Sequence, residues 1–459
     1  MPSRDALEAT RAPLRPLLAK ELRDLLAGRA FWVMTLILCP VVGYGFIQAV
    51  RLYSEASKPA MAFPELARGL SSLDGVLVPT FGAFYVAVTL LFPFVAIRSL
   101  GAEKQNGGLK LLLQFPYRPA VLVGAKFAAV LVGWLVALVP AVSAVIVWTA
   151  LGGYVGGREL LTLLLGHLLY GILIAAVGLC AAALTDGPAT AAIATLAVTL
   201  GAWVLDFMAV GPDAWSHAVA SLSPTTGLRT FEGGLLSLPA ALGMLIGAMT
   251  LLALTTVWLS PGRSVKQGAP LSVGAVVGGI VLALVASRAT VYADVTEDRR
   301  NSFAPADEAA LRHVTAPLTL TVYLAPDDPR LADFNRQVLS KLRRLVPKLS
   351  VVVAEPPRGL FLPAGGDRYG LVVYDYGGKR EESRSTSPRE VLPLLYGLAG
   401  VTVGASEKPD YPGHPLVSDS RAAAGWFYVA LPLLVGLGWR WVGRRSTGSA
   451  ELESGGYAL

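Results

Sequence analysis

The sequence predicts a polytopic α-helical membrane protein of about eight transmembrane helices with one inserted water-soluble α/β block. Three observations carry this. Hydrophobic residues fill 54% of the 459 positions and charged residues only 15%, against roughly 25% charged in soluble domains. Apolar runs of about 20 residues, the length a bilayer requires, recur near 31–50, 79–98, 126–150, 160–184, 188–210, 238–260, 270–287 and 425–442. Between the last two runs, residues 289–424 hold 17 of the 39 Lys/Arg and 17 of the 32 Asp/Glu, so nearly half of the charge lies in one neutral block.

The net charge of +7 arises elsewhere. Loop 98–126 carries Arg98, Lys104, Lys110, Arg118 and Lys126 against Glu103 alone, loop 261–269 carries Arg263 and Lys266, and the tail carries Arg440, Arg444 and Arg445. The alternate loops 51–77, 151–159 and 211–237 are balanced or acidic. By the positive-inside rule both termini are cytosolic and residues 289–424 are extracytoplasmic. The basicity therefore marks membrane orientation, with no nucleic-acid partner. Cys39 and Cys180 lie in apolar runs, which excludes a disulfide framework and any zinc spacing. Residues 1–30 lack a cleavable signal pattern.

Before the first span, residues 14–29 place Leu14, Leu17, Leu18, Leu22, Leu25 and Leu26 on one helical face and Lys20, Arg23 and Asp24 on the other, as in a helix lying in the cytosolic interface. Between the second and third spans, residues 103–126 form a charged, helix-prone segment with Leu109, Leu112 and Leu113 on one face, suited to a partner pressing from the cytosol. After the fifth span, residues 221–224 and 228–236 suggest a short re-entrant or surface helix on the outer side.

The soluble block reads in order as a strand (317–325), a helix (328–346), a strand (349–355), a hairpin (369–384) turning at Gly377-Gly378, and a helix from Ser387-Pro388 to about Gly400. That β-α-β then β-β-α order is thioredoxin-like. Its expected core includes Leu318, Leu320, Val322, Phe334, Leu342, Val351, Val353, Val372 and Leu394. Residues 402–424 read as a Pro-, Gly- and Ser-rich linker.

Catalytic motifs are lacking. Gly124-Ala-Lys126 and Gly377-Gly-Lys379 have neither the spacing nor the hydroxyl of a phosphate-cradling loop, so no ATPase site and no cofactor is expected in this chain. The block has no CxxC, which excludes thiolate redox chemistry. Asp327 and Asp328 read as a helix N-cap rather than a catalytic pair. His167 lies inside the fourth span, where an ionisable group is a functional-site candidate; the plainer alternative is a neutral imidazole bonded to a neighbouring helix. No metal cluster is apparent, and His217, His313 and His414 read as isolated.

Residues 14–260 resemble type 2 ABC exporter permeases in Lys20-Glu-Leu-Arg23, Arg29-Ala-Phe-Trp32 and the Glu103–Lys126 segment with its Gly, Leu-rich turn and Pro. Residues 291–400 resemble the extracytoplasmic auxiliary component of gliding-motility-type ABC systems, through Asp294-Val-Thr296, the following Ser302, the Gly377-Gly378 hairpin and Glu390; Val295 and Phe303 depart from the commonest residues. The resemblance implies a bacterial cytoplasmic (inner) membrane permease. It would pair with cytosolic ABC ATPase subunits, which bind the ATP, and with a second copy or a paralogue. An extracytoplasmic partner protein is a further expectation. The implied organisation is a cytosolic tail and interfacial helix (1–30), a six-span permease domain (31–260), a seventh span (261–288), the outer domain (289–424), an eighth span (425–442) and a cytosolic tail (443–459). The implied ATPase-coupling residues are Lys20, Glu21, Arg23, Glu103, Lys104, Gly107, Leu109, Leu112, Pro116 and Lys126. The alternative is a mechanotransmitting scaffold or sensor that moves an outer partner and transports nothing.

Overall fold

A computed structural model describes residues 14–115, 117–208, 223–325, 328–354, 368–404 and 411–455, without the side chains of 14, 205–208 and 445–455. Helix α1 (Leu14–Ala27) packs along the bundle with Leu17 and Leu25 buried, so the expected apolar face meets protein. The chain continues through α2 (Arg29–Ala62), α3 (Leu73–Gln105), short α4 (Gly108–Leu112), α5 (Pro119–Ala150), α6 (Gly157–Leu184) and α7 (Pro188–Met208). Helix α5 is interrupted at Leu138, where Pro140 removes a backbone donor from the following turn. Then come α8 (Pro224–Glu232), β1 (Leu235–Ser237), α9 (Leu238–Leu259), α10 (Val265–Ala286) and β2 (Tyr292–Asp294).

Strands β1 and β2 pair antiparallel, Leu235 opposite Asp294. The start of α9 and the end of α10 therefore meet at one end of the bundle, and the two helices form an out-and-back hairpin. Helix α10 is almost unburied and displays Val273, Val276, Ile280 and Leu284, an apolar surface that suits lipid.

The soluble block follows as α11 (Pro305–Leu311), β3 (Leu318–Val322), α12 (Pro329–Phe334, a π turn Asn335–Leu339, and Ser340–Leu345), β4 (Leu349–Val353), β5 (Val372–Tyr376), β6 (Lys379–Ser383) and α13 (Pro388–Ala399). The sheet order is β4-β3-β5-β6, with β3 parallel to β4 and antiparallel to β5, and β5 antiparallel to β6. Its core is separate from that of the bundle and joins Leu318, Leu320, Val322, Phe334, Leu342 and Val372 to Phe303 and to Val391, Leu392 and Leu395 of α13. Leu394, Val351 and Val353 are only half-buried: α13 turns Leu392 and Leu395 inward, and β4 is an edge strand. Helix α13 ends at Gly400, left-handed at φ +66°.

Asp328 caps α12, accepting from Arg330 N at 2.9 Å, and also bonds the Arg330 side chain and Tyr369 Oη at 2.7 Å. The Arg330 hydrogen bond, then that of Tyr369, holds the Asp328 carboxyl down at about 2. A depressed carboxylate contributes stability that is present above its unfolded value of about 3.9 and is lost as pH falls through the folded one. Asp328→Asn is expected to remove this acid-range dependence while leaving the helix capped, and Asp328→Ala to remove about 1 kcal/mol of capping stability as well, read from melting of the whole chain at neutral pH and between about pH 4 and pH 2.

Helix α14 (Arg421–Arg444) returns along α2, and Trp426 Nε1 donates to Ser143 Oγ of α5 at 3.1 Å. Among the described residues seven helices, α2, α3, α5, α6, α9, α10 and α14, are long and apolar enough to cross a membrane; α7 is a shorter apolar helix over 188–204. Helix α7 runs alongside α3, with Pro188 against Gly101 near the end of α3 and Trp203 Nε1 donating to Tyr85 Oη farther back along it. Counting α7, the chain traverses the bundle an even number of times, and α1 and the end of α14 lie at the end opposite the sheet.

The bundle interior is aromatic. Trp134 meets Phe84, Phe92 and Tyr170 at ring-centroid distances of 5.7, 4.9 and 6.1 Å. Residues 411–420, expected as a linker, form a strap along α2. Tyr53 Oη donates to His414 O at 2.6 Å, Ser418 N to Ser54 Oγ at 3.2 Å and Leu416 N to Ser57 Oγ at 3.1 Å.

Candidate functional site

At the α1 end, five charges from three distant segments converge. Lys126, on the first turns of α5 and 1% exposed, places Nζ 2.8 Å from Glu21 Oε2, 2.6 Å from Glu103 Oε2 and 3.0 Å from Ser99 O. It donates to Glu21 Oε2 and to Ser99 O, and Glu103 Oε2 is held by ion pairing without a well-directed hydrogen bond. Lys20 bonds Glu103 Oε1 and lies 3.2 Å from Glu21 and 3.3 Å from Asp24. Burial would lower the Lys20 pKa, but the Glu103 hydrogen bond and the neighbouring carboxylates raise it above the ordinary lysine value. One face of each of α1, α3 and α5 is therefore locked by alternating charge.

The cluster lines a cavity of about 630 Å³ between α1, the end of α3 and α4. Gly107, left-handed at φ +74°, reverses the chain between α3 and α4. That turn sets the phase of α4. Leu109 points inward and packs with Leu17, Leu100 and Leu122; Leu112 and Leu113 are half-buried against the same group. The apolar residues left outside are Leu111, 61% exposed, and Phe115, 57% exposed, beside exposed Lys110. Lys104 Nζ donates to Ala183 O at 3.2 Å and to Thr185 O, capping α6 and fastening it to α3. Arg23 is exposed on the far face of α1, and Pro116 lies outside the described residues.

His167 does not join this cluster. It is wholly buried on α6, with Nε2 3.2 Å from Glu232 Oε1 of α8 and its ring 5.0 Å from that of Phe81. Helix α8 approaches this closely because Gly166 leaves room for Phe231. The imidazole thus has an acidic neighbour from another helix, although neither ring nitrogen makes a well-directed hydrogen bond. Among the described residues no group of His, Cys, Asp and Glu is arranged to hold a metal.

The sheet end carries a polar junction that the sequence did not reveal. His414, read as isolated, lies 2.9 Å from Glu297 Oε2 and stacks on Tyr154 with centroids 3.7 Å apart. Tyr154 donates to the other Glu297 oxygen, and this bond, with burial and the Glu297 charge, pushes its hydroxyl up to about 12. Glu297 N donates to Glu159 Oε1 at 3.1 Å, and Arg300 pairs with Asp74 at the start of α3. The bonded partners are 117 and more positions apart, so spacing along the chain gave no signal.

The apolar bundle, its ion-paired end and a helical hairpin returning through β1–β2 define a multi-pass membrane protein whose core is helical throughout. Residues 15–268, more than half of the chain, match the ABC-2 family transporter protein family, and the chain belongs to it. Membership makes it the membrane component of an ABC transporter, without an ATPase site of its own and working with cytosolic ABC ATPases. Neither the curated proteins nor the solved structures gave a significant match.

Proposed function

We propose that α1, α4 and the Lys126 cluster form the ATPase-coupling surface of a permease subunit that acts as a pair, with a second copy or a paralogue. In this reading both termini are cytosolic in a bacterial inner membrane, and residues 289–424 form an extracytoplasmic thioredoxin-like domain of the gliding-motility auxiliary type. The observation that carries it is the locking of α1, α3 and α5 around Lys126 beneath an exposed Leu111–Phe115 tip. A push on α4 is delivered to three helices at once, because moving any one of them would strand a buried charge.

The sheet order second-first-third-fourth supports the thioredoxin-like assignment, and the even number of bundle crossings supports the shared side of the termini. Leu111→Ser with Phe115→Ser is expected to reduce ATPase stimulation about tenfold or more in the assembled complex, by removing a central apolar contact, with an unchanged melting temperature. Unchanged stimulation in the intact complex would refute the docking surface. Orientation has its own test. Cys39 and Cys180 are buried, so cysteines introduced at Ser350 or Ser385 should react with a membrane-impermeant thiol reagent added from outside, and one at Ser446 should not; the reverse pattern would invert the topology.

A second reading, mechanical work on an outer partner in place of export, is favoured by the attachment of the soluble block. Strap 411–420, Glu297 and Arg300 fasten it to α2, α6 and α3. Movement of those helices would be passed to the block whether or not a substrate crosses. ATP-dependent flux into sealed vesicles would establish export; movement of the block with no flux would establish the mechanical role.

A further inference from the structure

His167 and Glu232 form a pair that the coupling surface leaves unused. The imidazole has no solvent exposure, and its Nε2 lies 3.2 Å from Glu232 Oε1. That separation suits a hydrogen bond, yet neither ring nitrogen makes one among the described residues. The rest of the wall is aromatic, with the rings of Phe81 and Phe84 centred 5.0 and 5.8 Å away. A polar ring buried without a partner is costly, and such a group calls for a functional reason.

The helices around the pair supply no competing charge. On α8, Arg229 is exposed to solvent. On α3, Asp74 pairs with Arg300, and Tyr85 Oη meets Thr225 Oγ1 and Trp203 Nε1. On α6 itself, Glu159 accepts from Glu297 N, and Tyr170 Oη is 2.7 Å from Thr89 Oγ1. Lys126 is the one ionisable residue of α5 and belongs to the cluster at the opposite end. Helix α9 and residues 188–204 of α7 have no ionisable side chain. Among the described residues, Glu232 is therefore the charge that meets the imidazole.

Position adds the second argument. The Glu232 side chain is 12% exposed, which gives the buried ring a route to water. Glu232 also ends α8, and the soluble block grips the next two residues. Asn301 Nδ2 donates to Gly233 O at 2.7 Å, and Val295 N donates to Gly234 O at 3.1 Å. The pair thus stands between the bundle core and the attachment of the block.

We propose that His167 and Glu232 form a proton-binding site, and that the bound proton clamps α8 to α6 and stiffens the link from the bundle to the soluble block. A neutral imidazole keeps one nitrogen as a bare acceptor; a protonated one donates from both nitrogens, and an ionised carboxylate only accepts. The proton, held between Nε2 and Oε1, turns the 3.2 Å contact into a charge-assisted hydrogen bond, about twice as strong as a neutral one.

The test uses the full chain in nanodiscs at about pH 8 and about pH 5.5, the range in which imidazoles as a class change charge. Hydrogen exchange at 224–234, corrected for the intrinsic rate at each pH, should show about tenfold more protection at the lower pH, the effect of one hydrogen bond to a charged group. His414 contacts Glu297 at the same end of the bundle, so the variants isolate this pair. His167→Gln and Glu232→Gln should each cut the gain to less than about threefold. Glu232 is partly open to water, so its variant keeps the test readable if His167→Gln fails to fold. A wild-type gain below about threefold, or a larger gain that survives in either folded variant, overturns the proposal.

Discussion

Replacing Lys126 with Met is expected to destabilise the protein by about 3–5 kcal/mol, the cost of leaving buried carboxylates without a counter-ion. Glu21 is 4% exposed and Glu103 is half-buried, so neither is rescued fully by water. The melting temperature in mild detergent should fall by several degrees, and the complex with its ATPases should assemble poorly. The discriminating partner is the triple change Glu21→Gln, Glu103→Gln and Lys126→Met, which removes all three charges. Neutralised together, the groups no longer strand a charge, and most of the lost stability should return. ATPase stimulation should not return, because the helices are then no longer locked. A triple variant that regains stimulation along with stability would show that the cluster is structural packing alone.

Gly413→Val is expected to release the strap from the bundle. Gly413 sits at φ +71°, and a Cβ there would overlap the carbonyl of Ala67. Left-handed backbone at a β-branched residue costs about 1–3 kcal/mol before any clash. The neighbouring bonds from Tyr411 Oη and His414 N to Leu70 O, at 3.2 and 3.0 Å, must then break. Limited proteolysis should cut near 411–420 at least about tenfold faster, as expected for loss of a few kcal/mol of local protection. The bundle melt should hardly change. Unchanged cleavage would mean that the strap bears no load.

The spans were legible because a bilayer makes length and apolarity compulsory, and the sheet because alternation in 318–322 and 349–353 is a local signal. The segments that build the charge cluster were legible too, since Lys20-Glu21, Glu103 and Lys126 stand in the stretches that carry the family resemblance. Their pairing was not. Lys126 meets Glu21 across 105 positions, and nothing local specifies that contact. The facing of Leu109 was obscured for another reason: a helix as short as 108–112 takes its phase from the Gly107 turn rather than from its own periodicity. His414 was misread because its partners, Glu297 and Tyr154, reach it only once the strap is folded back.

Helix α2 has 34 residues, about 51 Å at 1.5 Å per residue, well beyond the roughly 30 Å of hydrocarbon it must cross. At its start Trp32 Nε1 donates to Leu26 O at 2.6 Å, linking it to α1; near its far end Tyr53, Ser54 and Ser57 hold the strap. A continuous rod gripped at both ends works as a lever arm. Pivoting it by only about 5° would swing its far tip by about 4 Å on that length. On the proposed coupling, a small angular stroke at the α1 end would be geared into a displacement of the strap as large as a hydrogen-bond register.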